Sequence, residues 1–537
     1  MTKCTKSILF SLAVVLCALS GASAQTISAA SCNESDVSAA LNKISADGTV
    51  VSIPAGDCVW TTKLSYQQTY SFTLQGAGAV YASATSATGQ GSDSTIIEDD
   101  TGSANGDLSI STAAGKTFRI TGIAFKLNSA QTSPPYGGEL IVSGSSTAIR
   151  VDHDHFNQIP GHAVYTFCVN GVIDHNQFDF GSSLGTTDGT MTQDNVCASP
   201  TDLWGNASWS SATNFGSSNF VFIEQNSFNA ASGQTGYATD CSAGGRFVLR
   251  FNTMWYHVLS VMHGTDSSGR GCRAAEEYMN RMTWSATPVT DSANTWVEME
   301  SGTALFWGNT LTGYVAALQA DVVRANSQTY AEGAVPNGFG YCGTTDGPST
   351  WDGNTNSTGY PCLDGIGRGQ GDLISGAFPD VCDATTGCKT YAGSWPNQAL
   401  EPVYMWDTTY NAPPDEGGDT FWANYPTPVT IAENRDYYLQ LPNYSESSSF
   451  NGTAGIGQGS LASAPSTCTP GVGYWATDQG NWNQSGSGGQ GELYVCSATK
   501  AWNLYYEPYT YPHPLDSTGT VTPPPPTGVS GEAVIAD

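Results

Sequence analysis

The densest group of residues able to do chemistry in this chain is a run of five arginines between positions 246 and 281. His263 lies among them, and Glu276 and Glu277 follow. An arginine offers paired donors to a carboxylate or to two hydroxyl groups, and an acidic side chain offers acceptors or a shell for Ca²⁺. This mixture suits an acidic or neutral polysaccharide. The five are Arg246, Arg250, Arg270, Arg273 and Arg281.

A second group of acids and histidines lies earlier in the chain. Asp152-His153 and Asp174-His175 are adjacent pairs, and Glu224 takes the aspartate's place in a later copy. Two chemistries use such groups. Glycoside hydrolysis needs two carboxylates about 5–9.5 Å apart. β-Elimination on a uronate needs a base for the proton α to the carboxylate and a cation for the developing charge.

A repeated six-residue unit positions these side chains, and Ile173-Asp174-His175-Asn176-Gln177-Phe178 is its clearest copy. Eight copies align; the sixth position is always large and apolar, and five copies carry Asn at the fourth. The first seven starts lie 22 to 31 residues apart, except for one step of 50 that is one coil with an insertion or two coils. The copies start at 120, 151, 173, 223, 249, 277, 306 and 405.

The register of this unit predicts a solenoid. A single copy cannot bury its apolar residues, but copies stacked on one another form a continuous core. The fourth-position asparagine would lie at a corner of each coil, where it tolerates turn geometry and binds the backbone of the next coil. Coils stack about 4.8 Å apart, so side chains from successive copies meet on one side of the molecule. The alternative is a β-sandwich, which would show no fixed register.

The N-terminus predicts export from the cell. Lys3 and Lys6 precede an apolar stretch, 8–19, that is too short to span a bilayer, and Ala22-Ser23-Ala24 is a cleavage site. We therefore expect a secreted, periplasmic or cell-surface protein, with no later segment that spans a membrane. The net charge of −29 argues against nucleic acid and anionic membranes as partners.

The cysteines predict disulfide bonds. Two of the 14 lie in the signal segment, which leaves an even number in the exported chain. Connectivity cannot be deduced from spacing, and zinc is not expected because no Cys-x-x-Cys or His-x-x-x-His spacing occurs. Short-range pairing would join Cys32 to Cys58, Cys342 to Cys362, Cys382 to Cys388 and Cys468 to Cys496.

The N-terminal part adds a helix to the repeat. Ser35 can cap a short helix that has Val37 and Leu41 on one face. Helix, then GTVVSIPAGDCVW, FTLQGAGA and coils such as GVIDHNQF together resemble the right-handed parallel β-helix of the pectate-lyase-like superfamily. The resemblance covers residues 36–311 well and 312–411 loosely. Because a solenoid exposes its apolar core at each end, we expect the helix to plug the N-terminal end.

The resemblance also implies an activity. Pectate-lyase-like enzymes use an arginine base and acidic Ca²⁺ ligands on one face, so Ca²⁺ is the cofactor it implies. No single arginine here matches the family's catalytic one. The acid signature of β-helix polygalacturonases, Asn-Thr-Asp with Asp-Asp and Arg-Ile-Lys, does not occur. The expected function is a polysaccharide lyase or a glycoside hydrolase acting on an extracellular glycan; the alternative is a non-catalytic carbohydrate-binding or structural β-helix protein.

These observations divide the chain into four parts. We predict a signal peptide at 1–24, a β-helix over 25–411 with a disulfide-tied insertion around 312–400, an aromatic-rich, β-rich module at 412–515 and a proline-rich tail at 516–537.

The predicted site lies on one side of the coils. Arginines in such a group also form ion pairs, here with Glu276, Glu277, Glu298 or Glu300, and Asp174 and His175 also suit turns. The residues predicted to be catalytic are Asp174, His175, Glu224, Arg270 and Arg273. Those predicted to bind substrate are Asp152, His153, Arg250 and His263.

Overall fold

The structure is a computed structural model. The residues that it describes are 25–84, 86–181, 187–197, 209, 211–230, 236–256, 258–264, 271–284, 295–313, 316–320, 364–370, 381–383, 387–389, 399–412, 421–423, 431–440, 450–484, 486 and 488–516.

Three long parallel sheets, A, B and C, contain most of the strands. In spatial order, sheet A consists of β1 (Thr26–Ser28), β2 (Thr49–Ser52), β5 (Phe72–Gln75), β8 (Phe118–Thr121), β11 (Ile149–Asp152), β14 (Gly171–Asp174), β17 (Val221–Glu224), β20 (Arg246–Arg250), β23 (Ala274–Tyr278), β26 (Thr303–Trp307), β31 (Val403–Trp406) and β34 (Tyr437–Leu439).

Sheets B and C run alongside. Sheet B consists of β3 (Gly56–Trp60), β6 (Thr95–Asp99), β9 (Ala124–Leu127), β12 (His155–Asn157), β15 (Gln177–Phe180), β18 (Ser227–Ala230), β21 (Thr253–Trp255), β24 (Arg281–Thr283), β27 (Thr310–Thr312) and β32 (Thr409–Ala412). Sheet C consists of β4 (Leu64–Gln67), β7 (Leu108–Thr112), β10 (Leu140–Gly144), β13 (Gly161–Phe167), β16 (Thr187–Gln193), β19 (Gly236–Ser242), β22 (Val258–Met262), β25 (Thr295–Met299), β28 (Ala316–Ala320) and β33 (Phe421–Ala423).

Successive strands visit sheets A, B and C in turn, so each coil contributes one strand to each sheet. This nearly all-β arrangement of stacked parallel sheets is consistent with a parallel β-helix solenoid. The first residues of the predicted copies lie side by side in sheet A, as Ile173 beside Ile223 and Phe306 beside Met405 show. Strand β14 pairs directly with β17, so the 50-residue step is one coil with an insertion.

Aromatic rings fill the inside of the coils at the sixth position of the unit. Phe125, Phe156, Phe178 and Phe228 are fully or almost fully buried, and successive ring centroids lie 5.3, 4.9 and 4.7 Å apart. Burial of each ring contributes about 1.5–3 kcal/mol to folding. The sixth position is apolar in every copy because it supplies this stack.

The fourth-position asparagines form the predicted column. The side-chain oxygen of Asn226 accepts the backbone N–H of Asn176 at 2.9 Å, and Asn252, Asn280 and Asn309 repeat the contact along the axis. Each side-chain amide also donates to the backbone of a preceding coil, as Asn252 does to the carbonyl of Ile223 at 2.8 Å. The column stabilises the corner between sheets A and B, where a sharp turn leaves backbone groups unpaired.

The residue before the asparagine, or before Asp154 in one copy, has left-handed backbone geometry. His153 has φ 55°, His175 φ 58° and Gln225 φ 58°. Histidine tolerates this region better than β-branched residues do. The Asp-His-Asx sequence therefore follows from the corner of the coil, whatever further role its side chains have.

The described helix α1 (Glu34–Leu41) precedes the second strand, and its Val37, Ala40 and Leu41 join the apolar core. Its role as a plug at the end of the coils stays a prediction. No helix in the described ranges is long and apolar enough to cross a membrane.

Four disulfide bonds link described cysteines. Cys32–Cys58 and Cys468–Cys496 are two of the pairs expected from the sequence. Cys382 and Cys388 lie opposite each other in a hairpin of β29 (Val381–Asp383) and β30 (Gly387–Lys389). Cys342 and Cys362 lie outside the described residues. The two bonds that spacing did not suggest are Cys168–Cys197 and Cys241–Cys272.

A smaller sheet near the C-terminus packs on the outer face of sheet A. It consists of β35 (Ile456–Gly459), β36 (Gly473–Ala476), β37 (Glu492–Cys496) and β38 (Trp502–Tyr506), with a 3₁₀ turn at Leu461–Ser463. Trp475 lies 4.9 Å from the ring of Trp307 and 5.1 Å from that of Trp406. These rings belong to a second apolar cluster, separate from the core inside the coils.

Candidate functional site

One row of side chains on the outer face of sheet A contains much of the predicted site. Asp152, Asp174, Glu224 and Arg250 occupy the same position in β11, β14, β17 and β20. All four are fully buried. The alignment of the repeated unit thus brings these residues together, but it places them out of contact with solvent.

Arginines of the neighbouring row neutralise the acids. Arg119 Nη2 lies 2.6 Å from Asp152 Oδ2, and Arg150 Nη2 lies 2.6 Å from Asp174 Oδ2. Burial opposes ionisation of Asp152, but Arg119, His153 and Arg150 outweigh it and hold its pKa well below the usual range. Both carboxylates are therefore already paired with arginines.

Arg250 has partners on every side. Its Nε donates to Glu224 Oε2 at 2.6 Å, and Nη1 donates to the hydroxyl of Tyr278 at 2.8 Å. Nη1 also donates to the carbonyl of Tyr509 at 2.7 Å, and Nη2 to that of Thr510 at 2.9 Å. A guanidinium has five N–H donors in a fixed, forked arrangement. The donors of Arg250 join sheet A to the C-terminal segment.

Residues 507–516, which we call the C-terminal strap, cover this row. Glu224 Oε1 accepts the backbone N–H of His513 at 2.8 Å. Arg150 donates to the carbonyl of Leu515 at 3.0 Å and to Asp516 Oδ1 at 2.6 Å. The strap therefore runs across the coils from β20 to β11, over residues that the sequence predicted to contact substrate.

The two predicted histidines at the corner are stacked. The rings of His153 and His175 lie 5.1 Å apart at an interplanar angle of 8°. Each Nδ1 lies close to the preceding aspartate, at 2.9 Å from Asp152 and 2.7 Å from Asp174. Burial opposes protonation of His175, but Asp174 and Asp516 outweigh it and raise its pKa.

One group of possible metal ligands lies at the same place. Asp174, His175 and Asp516 each bring a ligand atom within 4.8 Å of the others. Arg150 already pairs with both carboxylates, at 2.6 Å in each case. A cation placed beside that guanidinium would be repelled, so this group fits a metal ion poorly.

The other arginines that the sequence singled out do not belong to this row. Arg273 is fully buried, and its Nη2 lies 2.8 Å from Glu401 Oε2. Burial and the neighbouring Arg273 lower the pKa of Arg246 to about 9. Arg270 lies outside the described residues. Arg250 and Arg273 thus form buried ion pairs, with Glu224 and Glu401.

Glu277 lies inside the coils, and its titration makes the stability of the folded protein depend on pH. Its oxygens accept from Ser260 at 2.9 and 3.0 Å and from the Trp296 indole at 3.0 Å, and burial raises its pKa to about 8. The folded protein therefore retains a proton that the unfolded chain loses, so the contribution of Glu277 to stability is greatest below about pH 4.5 and falls until about pH 8.

We expect Glu277→Gln to abolish this dependence. The variant should gain on the order of 4 kcal/mol relative to the parent between pH 5 and pH 8. Urea unfolding of both proteins at each pH measures the difference, and a difference independent of pH would show that Glu277 is ionised when folded. Other titrating groups cancel in the comparison.

A second cluster lies on the outer face of sheet C, where residues are partly open to solvent. Asp240 in β19 is its centre, and Asp240 Oδ2 lies 3.4 Å from Nε2 of His263, whose side chain is 41% exposed. On the preceding coils, His162 Nδ1 lies 3.0 Å from Asp188 Oδ2. Tyr165 lies in the same strand as His162, and its hydroxyl donates to a glutamine of the next coil.

The electrostatics of this cluster differ from those of the covered row. Burial raises the pKa of Asp240. The two histidines, His263 and His162, oppose this shift, and Asp188 adds to it. Oδ1 of Asp240 and Oδ1 of Asp188 accept no hydrogen bond. A carboxyl group of raised pKa near a second carboxyl group is an arrangement that acid–base catalysis uses.

Two tyrosines border the cluster. Burial and Asp240 raise the pKa of Tyr165 to about 12. Burial and four acids, among them Glu298 and Asp188, raise that of Tyr237 to about 12. Both phenols therefore stay protonated at neutral pH, so they can donate hydrogen bonds or pack against a sugar ring but cannot act as bases.

The sequence indicated only His263 among these residues. The other residues of the Asp240 cluster lie at different numbers of positions after the six-residue unit, because the connections between sheets B and C differ in length. The amino-acid composition of the strands does indicate an acidic face, because none of the ten strands of sheet C contains lysine or arginine.

Fold and site thus define a nearly all-β protein of stacked parallel sheets with one covered ionic row and one partly open acidic cluster. Comparison with protein-family models, with curated proteins and with solved structures found no match to this chain.

Proposed function

We propose that this protein is an exported glycoside hydrolase that cleaves a neutral polysaccharide at the outer face of sheet C. The observation that supports it is the Asp240 cluster, in which a carboxyl group of raised pKa lies near Asp188, His162 and His263. In the proposed reaction Asp240 donates its proton to the glycosidic oxygen. Asp188 accepts a proton from the water that adds to the anomeric carbon.

Hydrolysis fits this face better than β-elimination. Elimination on a uronate needs a base and a cation beside the substrate carboxylate. The strands of sheet C contain no lysine or arginine, and Arg150, Arg250 and Arg273 are buried elsewhere in ion pairs. The carboxylates of the face would also repel a polyuronate, so a neutral polymer is the better substrate.

Three further features belong to the proposal. Right-handed coils, an N-terminal plug and export through the segment 1–24 are expected together in a secreted solenoid. Four disulfide bonds among the described cysteines agree with an oxidising compartment. A role for Ca²⁺ in substrate binding stays a prediction; the group of possible metal ligands found in the described part of the chain is Asp174, His175 and Asp516 in the covered row.

A polysaccharide panel tests the function. Neutral polymers such as xylan, mannan and β-glucan are compared with polygalacturonate and alginate, and both reducing ends and unsaturated products are measured. We expect reducing ends from a neutral polymer without unsaturated products. Unsaturated products from a polyuronate would show a lyase instead, and tight binding without cleavage would show a carbohydrate-binding protein.

A further inference from the structure

An exposed tyrosine lies at the edge of sheet C, close to the strands of the Asp240 cluster. Tyr136 belongs to the loop 128–139, which joins β9 to β10, and 54% of the residue is exposed. A single exposed aromatic residue needs no explanation on most protein surfaces. Tyr136 differs because its loop fixes the backbone on both sides and places it beside the face that carries out the proposed reaction.

Hydrogen bonds hold the backbone around Tyr136. The N–H of Gly137 donates to the carbonyl of Ala104 at 2.6 Å, and the N–H of Gly138 donates to the carbonyl of Pro135 at 2.8 Å. Pro135 and the proline before it restrict the backbone directly before Tyr136. The ring is therefore presented to solvent from a fixed position, and little conformational entropy is lost when a ligand packs against it.

Two glycines bring this loop against the beginning of β13. Gly161 is the first residue of that strand, and a Cβ atom built there would lie 3.0 Å from the Cα of Tyr136. Gly138 has φ 103°, and its Cβ would lie 2.5 Å from the Cβ of Tyr165. Side chains at these two positions would push the loop away from the sheet. The glycines therefore place Tyr136 beside the strand that contains His162.

Neutral hydrogen-bonding groups line the face from β13 to β19, the strand that contains Asp240. The hydroxyl of Tyr165 donates to Gln193, and the side-chain amide of Gln193 donates to Ser242 at 2.7 Å. These three residues lie on successive coils, in β13, β16 and β19, which contain no lysine or arginine. From β13 to β19 is two coil steps, or about 10 Å, a length that a short run of sugar units spans. Hydroxyl and amide groups of this kind bind sugar hydroxyls.

We propose that Tyr136 stacks on one sugar ring of the bound polymer and so forms a substrate-binding subsite two coils from Asp240. The inference rests on the proposed hydrolase function. An aromatic ring packs well against a pyranose face that presents C–H groups, while the phenol hydroxyl stays in water. Pyranose rings whose hydroxyl groups are all equatorial have such faces, so a neutral β-linked polymer of glucose or xylose is the best fit.

The test uses the full chain with Asp240→Asn, so that the polymer is bound without rapid cleavage. Retardation in native gels that contain xylan or hydroxyethyl cellulose measures affinity. Adding Tyr136→Ala should weaken affinity about tenfold, whereas Tyr136→Phe keeps the ring and should stay within about twofold of the parent. In proteins that retain Asp240, Tyr136→Ala should raise KM more than it lowers kcat, because the subsite binds substrate and transition state alike.

Chemical modification gives a readout that needs no change at Tyr136. Nitration by tetranitromethane is followed in the peptide that contains Tyr136, with and without saturating xylo- or cello-oligosaccharide. We expect bound oligosaccharide to slow this nitration, because stacking covers the exposed ring. Nitration at the same rate with and without oligosaccharide would contradict the proposal, even if Tyr136→Ala failed to fold.

Tyr494→Ala is the matched control. Tyr494 lies in β37 of the C-terminal sheet, is partly exposed and donates to Glu492 at 3.0 Å. Its replacement should leave affinity at the parental value; loss of binding here with parental binding in Tyr136→Ala would place the glycan on the C-terminal sheet and overturn the inference. Binding that depends on Tyr136 without cleavage of any polymer would refute the hydrolase and keep the subsite. Cleavage with parental affinity and KM in Tyr136→Ala would refute the subsite and keep the hydrolase, and absence of both binding and cleavage would refute both.

Discussion

Replacing Asp240 by Asn should reduce the rate of polymer cleavage by about 10²- to 10⁴-fold. Asparagine keeps the size of the side chain but cannot give a proton to a leaving oxygen. Because burial raises the pKa of Asp240, loss of its ionisable group should leave Tm unchanged or slightly higher at neutral pH. Initial rates of reducing-end release and thermal unfolding of the same samples measure both effects.

Two comparisons make this result specific to proton donation. In the parent, activity should fall as pH rises through the raised pKa of Asp240, and a merely structural residue would not set that limb of the profile. Asp47→Asn is the control, because Asp47 pairs with Lys116 on the surface, away from sheet C. An Asp240→Asn enzyme with more than half of the parental rate would remove Asp240 from the mechanism.

The fold could be predicted from the sequence where the interactions that determine it are local and recur in every coil. A corner that needs a left-handed residue and then an asparagine imposes one short pattern on every coil. That pattern is why the alignment of repeated units alone puts Ile173, Ile223 and Leu249 in register, as they are in sheet A. The inward position even tolerates Glu277, because neighbouring Ser260 and Trp296 donate to it.

The site could be predicted only in part, for two physical reasons. Alignment of copies gives the row of Asp174, Glu224 and Arg250, but not whether another segment covers it. The strap that does so, 507–516, lies more than two hundred positions further along the chain, and it meets Arg250 and Glu224 through backbone atoms, which carry no sequence signal. The Asp240 cluster depends instead on connections of unequal length.

Replacing Arg250 by Ala should lower the free energy of unfolding by about 3 to 5 kcal/mol. The change leaves Glu224 fully buried without its cationic partner, and it removes the donors to the carbonyls of Tyr509 and Thr510. Replacing both partners, Arg250→Met with Glu224→Leu, should cost much less than the sum of the single changes, because no unpaired charge remains. Urea unfolding of the four proteins measures this difference.

The same variants decide what the covered row is for. If it attaches the strap, Arg250→Ala should speed hydrogen exchange at residues 509–516 before the coils unfold, while cleavage at sheet C keeps its parental rate in the folded fraction. If the row binds substrate, as the sequence predicted, cleavage should fall although stability and exchange stay unchanged. The number of buried partners favours the first outcome. A loss of less than about 1 kcal/mol with parental exchange would contradict the strap's dependence on Arg250.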